Sequence, residues 1–146
     1  MRFEYDDGGR AAAGFPSLLL AAGGPGDCQC RAITHATGRP YAEIHAELSE
    51  LAAGGAHDVD NGAGPDVGKY WLRRAGWSFT LNREVGPREP VRHRIVRELS
   101  TTGAFVLVFM GKTQGHLSAL VDGVNRDLDD HLDSNLWGWW SQTGQT

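Results

Sequence analysis

Cys28 carries the side chain in this sequence with the clearest capacity for covalent chemistry. It follows Asp27, a residue type that favours helix N-caps, and a helical spacing of apolar residues begins at the cysteine itself. In the first turn of a helix, unpaired backbone N–H groups and the positive end of the helix dipole favour a thiolate. Because the thiolate is the reactive form of cysteine, the position predicts a nucleophile. The alternative, from this stretch alone, is a small buried structural cysteine.

His116 is the candidate partner of this nucleophile. It begins a predicted strand directly after a glycine-containing turn at 111–115. A cysteine nucleophile needs a histidine that takes the thiol proton and later protonates the leaving group. A polar residue at a strand start is also common for structural reasons, so the order of the two residues along the chain supports the functional interpretation.

Asp127 is the candidate for the third role, which is to hold the imidazole. The hairpin signal Asp122-Gly123 makes residues 124–128 a strand that neighbours the strand of His116. A carboxylate on that strand can hold the second imidazole nitrogen and fix the tautomer. Acidic runs of this kind are also typical of solvated faces. The other acids are Asp122, which the sequence assigns to the turn, and two alternatives beyond the strand end, Asp129 and Asp130.

The two cysteines of the chain, Cys28 and Cys30, are predicted to be free thiols. Side chains two residues apart on a helix point to different sides, so a disulfide between them would be strained. Free thiols are typical of a reducing compartment. A metal site built from this pair and His35 fits no common zinc spacing, and we predict neither a metal nor another cofactor.

Composition indicates one globular domain and excludes several function classes. The chain has 146 residues and a net charge of -4, which is enough for a single core and lacks the basic stripe of a nucleic-acid-binding protein. The longest apolar run, 104–110, has the length of a strand rather than of a membrane span. Acidic residues follow Arg2 where a signal peptide would begin its apolar region, so we expect a cytoplasmic protein without membrane association.

Periodicity separates a helical first part from a β-rich last third. The apolar segment 15–22 fits either a strand or a short helix. Helices followed by an antiparallel sheet define an α+β domain. The predicted helices are 28–37, 40–53, 66–75 and 91–100. The predicted strands are 2–5, 77–81, 104–110, 116–121, 124–128 and 136–140.

The motif Gly-Asp-Cys-x-x-Arg-Ala-Ile at 26–33 and the segment 37–43 resemble small papain-like cysteine peptidase-type proteins of bacteria and phages. These proteins are related in fold to the bacteriocin-leader-processing cysteine peptidases. The resemblance covers roughly residues 26–140 and includes further segments at 72–77, 115–123, 125–127 and 137–140.

This resemblance implies a papain-like fold, with N-terminal helices packed on a C-terminal antiparallel sheet. It implies a single domain over residues 1–146, in which 1–25 form an N-terminal extension and 141–146 a polar tail. It also implies that Cys28 and His116 form the catalytic centre.

One departure from the papain-like pattern concerns the oxyanion hole. Papain-like enzymes usually carry a glutamine a few residues before the cysteine, but residues 21–26 contain no amide side chain. Removing one oxyanion donor costs ~100-fold or more in rate. The backbone N–H of Cys28 could donate, with Gln29 or Gln114 as a second donor, and the sequence leaves that choice open.

These observations predict a cysteine-dependent hydrolase that cleaves an amide or isopeptide bond in a peptide or protein. The predicted triad is Cys28 as nucleophile, His116 as general base and acid, and Asp127 as orienting acid. One alternative is a catalytically weak or inactive papain-like binding module, a phage or bacterial protein that engages a host factor, since a fold alone does not establish chemistry. Another is an acyltransferase, which shares the thioester step.

Overall fold

The computed structural model describes residues 2–15, 27–52, 59, 67–82, 99, 102–110, 115–128 and 136–142. These residues form three α-helices: α1 (Cys28–Thr37), α2 (Tyr41–Ala52) and α3 (Val67–Arg74). They also form six β-strands: β1 (Arg2–Tyr5), β2 (Trp77–Leu81), β3 (Ala104–Met110), β4 (Gly115–Val121), β5 (Val124–Asp127) and β6 (Leu136–Gln142). The α+β class predicted from the sequence is confirmed.

The strands of the described residues form one sheet in the order β1-β5-β4-β3-β6-β2. The C-terminal strands β3 to β6 pair antiparallel, as predicted. The sheet as a whole is mixed, because β1 runs parallel to β5, with Arg2 beside Val124 and Tyr5 beside Asp127. A parallel pair needs a long connection between its strands, and here most of the chain supplies it. Residues 2–5, which the resemblance places in an N-terminal extension, therefore form one edge of the sheet.

The helix boundaries agree closely with the sequence pattern. Helix α1 coincides with the predicted 28–37, and α2 begins directly after Pro40. No helix in the described part of the chain combines the length and apolarity needed to cross a membrane. The predicted helix at 91–100, apart from the buried Leu99, and the segment 16–22 lie outside the described residues.

Strand β6 is longer than the sequence predicts. Ser141 and Gln142, which the sequence places in a polar tail, pair with Phe105 on β3 and with Trp77 on β2. Backbone pairing extends the strand despite these polar side chains, because β-propensity depends strongly on context. The assignment of these two residues to a tail is wrong, and residues 143–146 lie outside the described residues.

Strand β3 is buried on both faces, as its continuous apolar sequence predicts. Val106 packs in a cluster with the helices, whereas Phe105 and Leu107 pack in a second cluster. Helix α1 lies against β4 and β3, so its first residue is held near the strand of His116. The first cluster includes Cys30, Ile33, Ile44, Leu48, Leu72 and Trp140. The second includes Leu99, Phe109, Leu120 and Leu136.

The Asp122-Gly123 hairpin places β4 and β5 side by side, as predicted. Both turn residues have positive φ, 49° and 78°, which a two-residue turn of this kind requires. The Asp122 carboxylate accepts the N–H of Gly103 at 2.8 Å. Asp122 therefore serves the turn, and β5 is left to supply the orienting acid.

Candidate active site

The two cysteines have different surroundings although they are two residues apart. Cys28 is the first residue of α1 and is partly exposed, as predicted from the helix pattern. Cys30 is fully buried, and its Sγ lies 3.8 Å from the carbonyl oxygen of Tyr41. Both are free thiols. Only Cys28 is thus placed where an incoming substrate could reach the sulfur.

Asp27 does not cap α1 through its side chain, and that expectation is wrong. Its carboxylate is buried and binds the guanidinium of Arg31, while the hydroxyl of Tyr41 donates to it at 2.7 Å. A buried carboxylate needs strong donors, and these two supply more stabilisation than a backbone N–H at the helix start. The carboxylate therefore joins a buried polar network behind Cys28.

His116 lies between the nucleophile candidate and the orienting acid. Its Nε2 is 2.8 Å from Oδ2 of Asp127, and the Cys28 side chain lies within hydrogen-bonding reach of the same ring. Since Nε2 is engaged by the carboxylate, Nδ1 is the nitrogen with which the thiol can exchange a proton. The structure thus brings together the three residues of the predicted triad. Asp129 and Asp130 lie outside the described residues.

The surroundings of His116 favour its protonated form. Burial by itself lowers the pKa of an imidazole, because it penalises the cation. The hydrogen bond to Asp127 and the contact with Cys28 outweigh burial and raise the pKa of His116 from 6.5 to about 9. At neutral pH the ring therefore holds the proton that a leaving amine would need.

Asp127 is a buried carboxylate with several donors. Besides His116, it accepts hydrogen bonds from the N–H of Leu128 at 2.7 Å and from Nη2 of Arg31 at 3.2 Å. The Ser118 hydroxyl also donates to it. Burial would raise the pKa of Asp127, but the hydrogen bond from His116, with the Ser118 hydroxyl and the Arg31 charge, lowers it below its ordinary value. The carboxylate is therefore ionised and fixed in orientation.

Ser118 and Asn125 support this carboxylate from the sheet, and sequence reasoning missed both. Asn125 Nδ2 donates to the Ser118 hydroxyl oxygen at 2.8 Å, which directs the hydroxyl proton toward Asp127. The sequence does contain a signal for both residues, namely their spacing from His116 and Asp127. On a strand, alternate residues share a side, and Ser118 follows His116 by two residues as Asn125 precedes Asp127 by two.

Gln29, one of the two candidate oxyanion donors, has a structural contact. The side chain is buried, and its Oε1 accepts the N–H of Gly68 at 2.6 Å near the start of α3. This hydrogen bond satisfies one of the N–H groups that a helix start leaves unpaired. Gln29 therefore ties α3 to α1. Gln114 lies outside the described residues, as do 21–26.

Within the residues that the structure describes, no group of three or more His, Cys, Asp or Glu side chains is arranged to hold a metal ion. Comparisons of the chain with protein-family models, with characterised proteins and with solved structures found no match. What supports a function is therefore the geometry of the site itself.

Proposed function

We propose that this protein is a cysteine-dependent hydrolase that cleaves an amide or isopeptide bond in a peptide or protein. The observation that carries the proposal is the position of the His116 ring, which contacts Asp127 on one side and Cys28 on the other. A thiol, an imidazole and a carboxylate in this order are the groups that nucleophilic catalysis by cysteine requires. The papain-like resemblance of the sequence points to the same chemistry.

Before the first half of the reaction, the thiol proton of Cys28 has passed to His116, whose raised pKa keeps it on the ring at neutral pH. The thiolate sulfur attacks the carbonyl carbon of the substrate, and the carbonyl electrons move to the oxygen. When the tetrahedral intermediate collapses, the C–N bond breaks and the imidazolium of His116 gives its proton to the departing amine. The products of this half are a free amine and a thioester on Cys28.

In the second half, His116 removes a proton from water, and the hydroxide oxygen attacks the thioester carbonyl. Collapse breaks the C–S bond, releases a carboxylic acid and returns the proton to the sulfur. Asp127 keeps the ring in one orientation through both halves. An amine in place of water would give acyl transfer by the same route.

The start of α1 supplies electrostatic support for these steps. The helix dipole and unpaired N–H groups of the first turn favour negative charge at Cys28. The backbone N–H of Cys28 is the candidate donor to the oxyanion of the intermediate. Because the Asp27 carboxylate is directed to Arg31 and Tyr41, its side chain does not cover this helix start.

The test is covalent capture with a peptide that ends in an electrophile, alongside a ubiquitin-like electrophilic probe, read by mass spectrometry of the intact and digested protein. We expect one adduct on Cys28 in the wild type and none in Cys28→Ala. His116→Ala is expected to react far more slowly. Cys30→Ala is the matched control, because it removes the other thiol and is expected to keep the adduct.

Iodoacetamide separates the enzyme from the binding scaffold. A catalytic Cys28 is expected to react with iodoacetamide much faster than Cys30 and faster than a free thiol. Slow labelling of Cys28, together with no capture by either probe, would contradict the proposal and favour a non-enzymatic scaffold.

A further inference from the structure

Arg31 joins two buried carboxylates that belong to opposite sides of the candidate site. Its side chain is only 3% exposed. Nη1 binds Oδ1 of Asp27, and Nη2 lies 3.2 Å from Oδ1 of Asp127. Its Nε has no hydrogen-bond partner among the described residues. The two terminal nitrogens of one guanidinium therefore make two separate ion pairs.

Each of the two carboxylates lies next to one of the proposed reacting groups. Asp27 immediately precedes Cys28, and Asp127 holds the imidazole of His116. We infer that Arg31 is a positioning residue for the proposed reaction, which fixes the imidazole relative to the thiol by holding Asp127 against the start of α1. This inference rests on the proposed function and adds a residue that acts through Asp127 without touching the substrate.

Charge neutralisation alone does not account for a guanidinium at this position. Asp27 already has another buried cation near it, because Nη1 of Arg10 lies 3.5 Å from its Oδ2. Tyr41 also donates to that carboxylate. A single ammonium could balance charge, but only a planar fork directs two donors along fixed, separate lines. Through these two donors, the guanidinium of Arg31 joins Asp27 at the start of α1 to Asp127 on β5.

Arg31→Lys tests this inference, because it keeps the charge and removes the fork. Arg10→Lys is the matched control, since Arg10 is also a buried arginine and its Nη1 approaches Oδ2 of Asp27 at 3.5 Å. The first readout is the rate of Cys28 carboxamidomethylation at neutral pH. We expect Arg31→Lys to lower that rate on the order of 10- to 100-fold, as a displaced reacting group does. We expect Arg10→Lys to stay within about twofold of the wild type, since Arg10 approaches Oδ2 of Asp27 whereas Arg31 binds Oδ1.

The second readout is the titration of the His116 ring, followed by NMR of histidine-labelled protein and assigned with His116→Ala. The groups around this ring and its carboxylate are Cys28 and Arg31 on α1, Ser118 on β4 and Asp127 on β5. We expect the His116 midpoint to fall toward that of a free imidazole in Arg31→Lys and to be unchanged in Arg10→Lys. A purely structural role of Arg31 would lower stability without moving the midpoint of the folded protein.

A double-mutant cycle shows whether Arg31 acts through Asp127. If it does, the variant with both Arg31→Lys and Asp127→Asn alkylates no more slowly than Asp127→Asn alone. Additive losses would overturn the inference, and so would equal behaviour of the Arg31 and Arg10 variants. If Arg31→Lys fails to fold, Asp27→Asn is the second test, because it weakens the ion pair between Arg31 and Asp27. An unchanged His116 titration midpoint in Asp27→Asn would also overturn the inference.

The NMR readout needs no turnover, so the two proposals can fail separately. Failure of both electrophilic probes in the wild type would end the hydrolase proposal. The His116 midpoint would still report whether Arg31 positions the ring. Conversely, capture on Cys28 with no effect of Arg31→Lys would leave the hydrolase intact and remove Arg31 from its machinery.

Discussion

His116 and Asp127 are joined by a 2.8 Å hydrogen bond between two adjacent antiparallel strands. The acceptor cannot readily turn away, because its other oxygen is held by Arg31 and by the N–H of Leu128. The ring is therefore oriented by a carboxylate that is itself fixed, and the sheet rather than a loop supports it. Four predictions follow from this arrangement and from the packing around it.

Asp127→Asn is expected to slow capture of Cys28 by electrophilic peptides by at least about 100-fold, because the ring loses its orientation and tautomer. The variant also removes one of the two ionic partners of the buried Arg31, so we expect a loss of about 3 kcal/mol in the free energy of unfolding. Stopped-flow capture and urea unfolding measure the two effects. Asp122→Asn is the matched control, since the same change in the exposed turn is expected to affect neither; an equal loss of capture there would contradict the orienting role.

The charge of His116 predicts a pH-dependent preference between two alkylating reagents. Iodoacetate is an anion and is attracted by the imidazolium, whereas iodoacetamide is neutral. With the pKa of His116 raised to about 9, the ratio of their rates at Cys28 is expected to stay high near neutral pH. It should fall as the pH rises through 9. Asp127→Asn should move this fall to lower pH, and a ratio that is flat between pH 7 and 10 would exclude the imidazolium.

The ion pair between His116 and Asp127 also predicts how the free energy of unfolding changes with pH. The folded protein holds the His116 proton more tightly than the unfolded chain, whose histidine has a pKa near 6.5. The stabilisation is therefore complete below pH 6.5 and is lost as the pH rises through about 9. Urea unfolding at several pH values, compared with His116→Gln, measures this. Wild type and variant should converge at high pH, and parallel stability curves would contradict the raised pKa.

Gly68→Ala is expected to destabilise the protein by about 1–3 kcal/mol, the usual cost of overpacking. A Cβ at Gly68 would lie 2.6 Å from Oε1 of Gln29. Combined with Gln29→Ala, the same change should become neutral or stabilising, because alanine is the better helix former by about 1 kcal/mol. Thermal unfolding of the single and double variants measures the rescue.

Gly138→Ala is the contrasting control for that rescue. A Cβ there would meet both the Phe79 ring and the backbone oxygen of Thr80 at 2.5 Å. Because a carbonyl oxygen in the sheet cannot be removed by mutation, Phe79→Ala should not restore stability. Restored stability in the Gly138→Ala, Phe79→Ala double variant would show that these contacts do not cause the destabilisation. A lack of rescue in the Gly68→Ala, Gln29→Ala double variant would show the same for Gly68.

The sequence predicts the residues of the site where local signals define them. A helix start marks Cys28, a strand start marks His116, and the turn before β5 makes Asp127 a neighbour of that histidine. Each of these signals lies within a few residues of the side chain concerned. That Cys28 and His116 share one site was implied by the papain-like resemblance, and in the structure α1 packs against β4.

Arg31, whose contacts sequence reasoning missed, pairs with a carboxylate far along the chain. Arg31 lies within an apolar helix pattern, where an arginine is expected on the solvent side, and its second carboxylate is on β5. The parallel pairing of β1 with β5 likewise has no local signature. Periodicity reports which side of an element is apolar; it does not report which distant charge will be buried against it.

The position of β1 at the edge of the sheet has a consequence for biosynthesis. A ribosome makes Arg2–Tyr5 before the three described helices, and their partner strand Val124–Asp127 only after all three. The N–H of Asp6 then donates to the carbonyl oxygen of Asp127 at 2.9 Å. Pairings of such long sequence separation form late and slowly. A nascent chain stalled before β5 would therefore carry Cys28 and His116 without Asp127, so the proposed triad is complete only once β5 has been made.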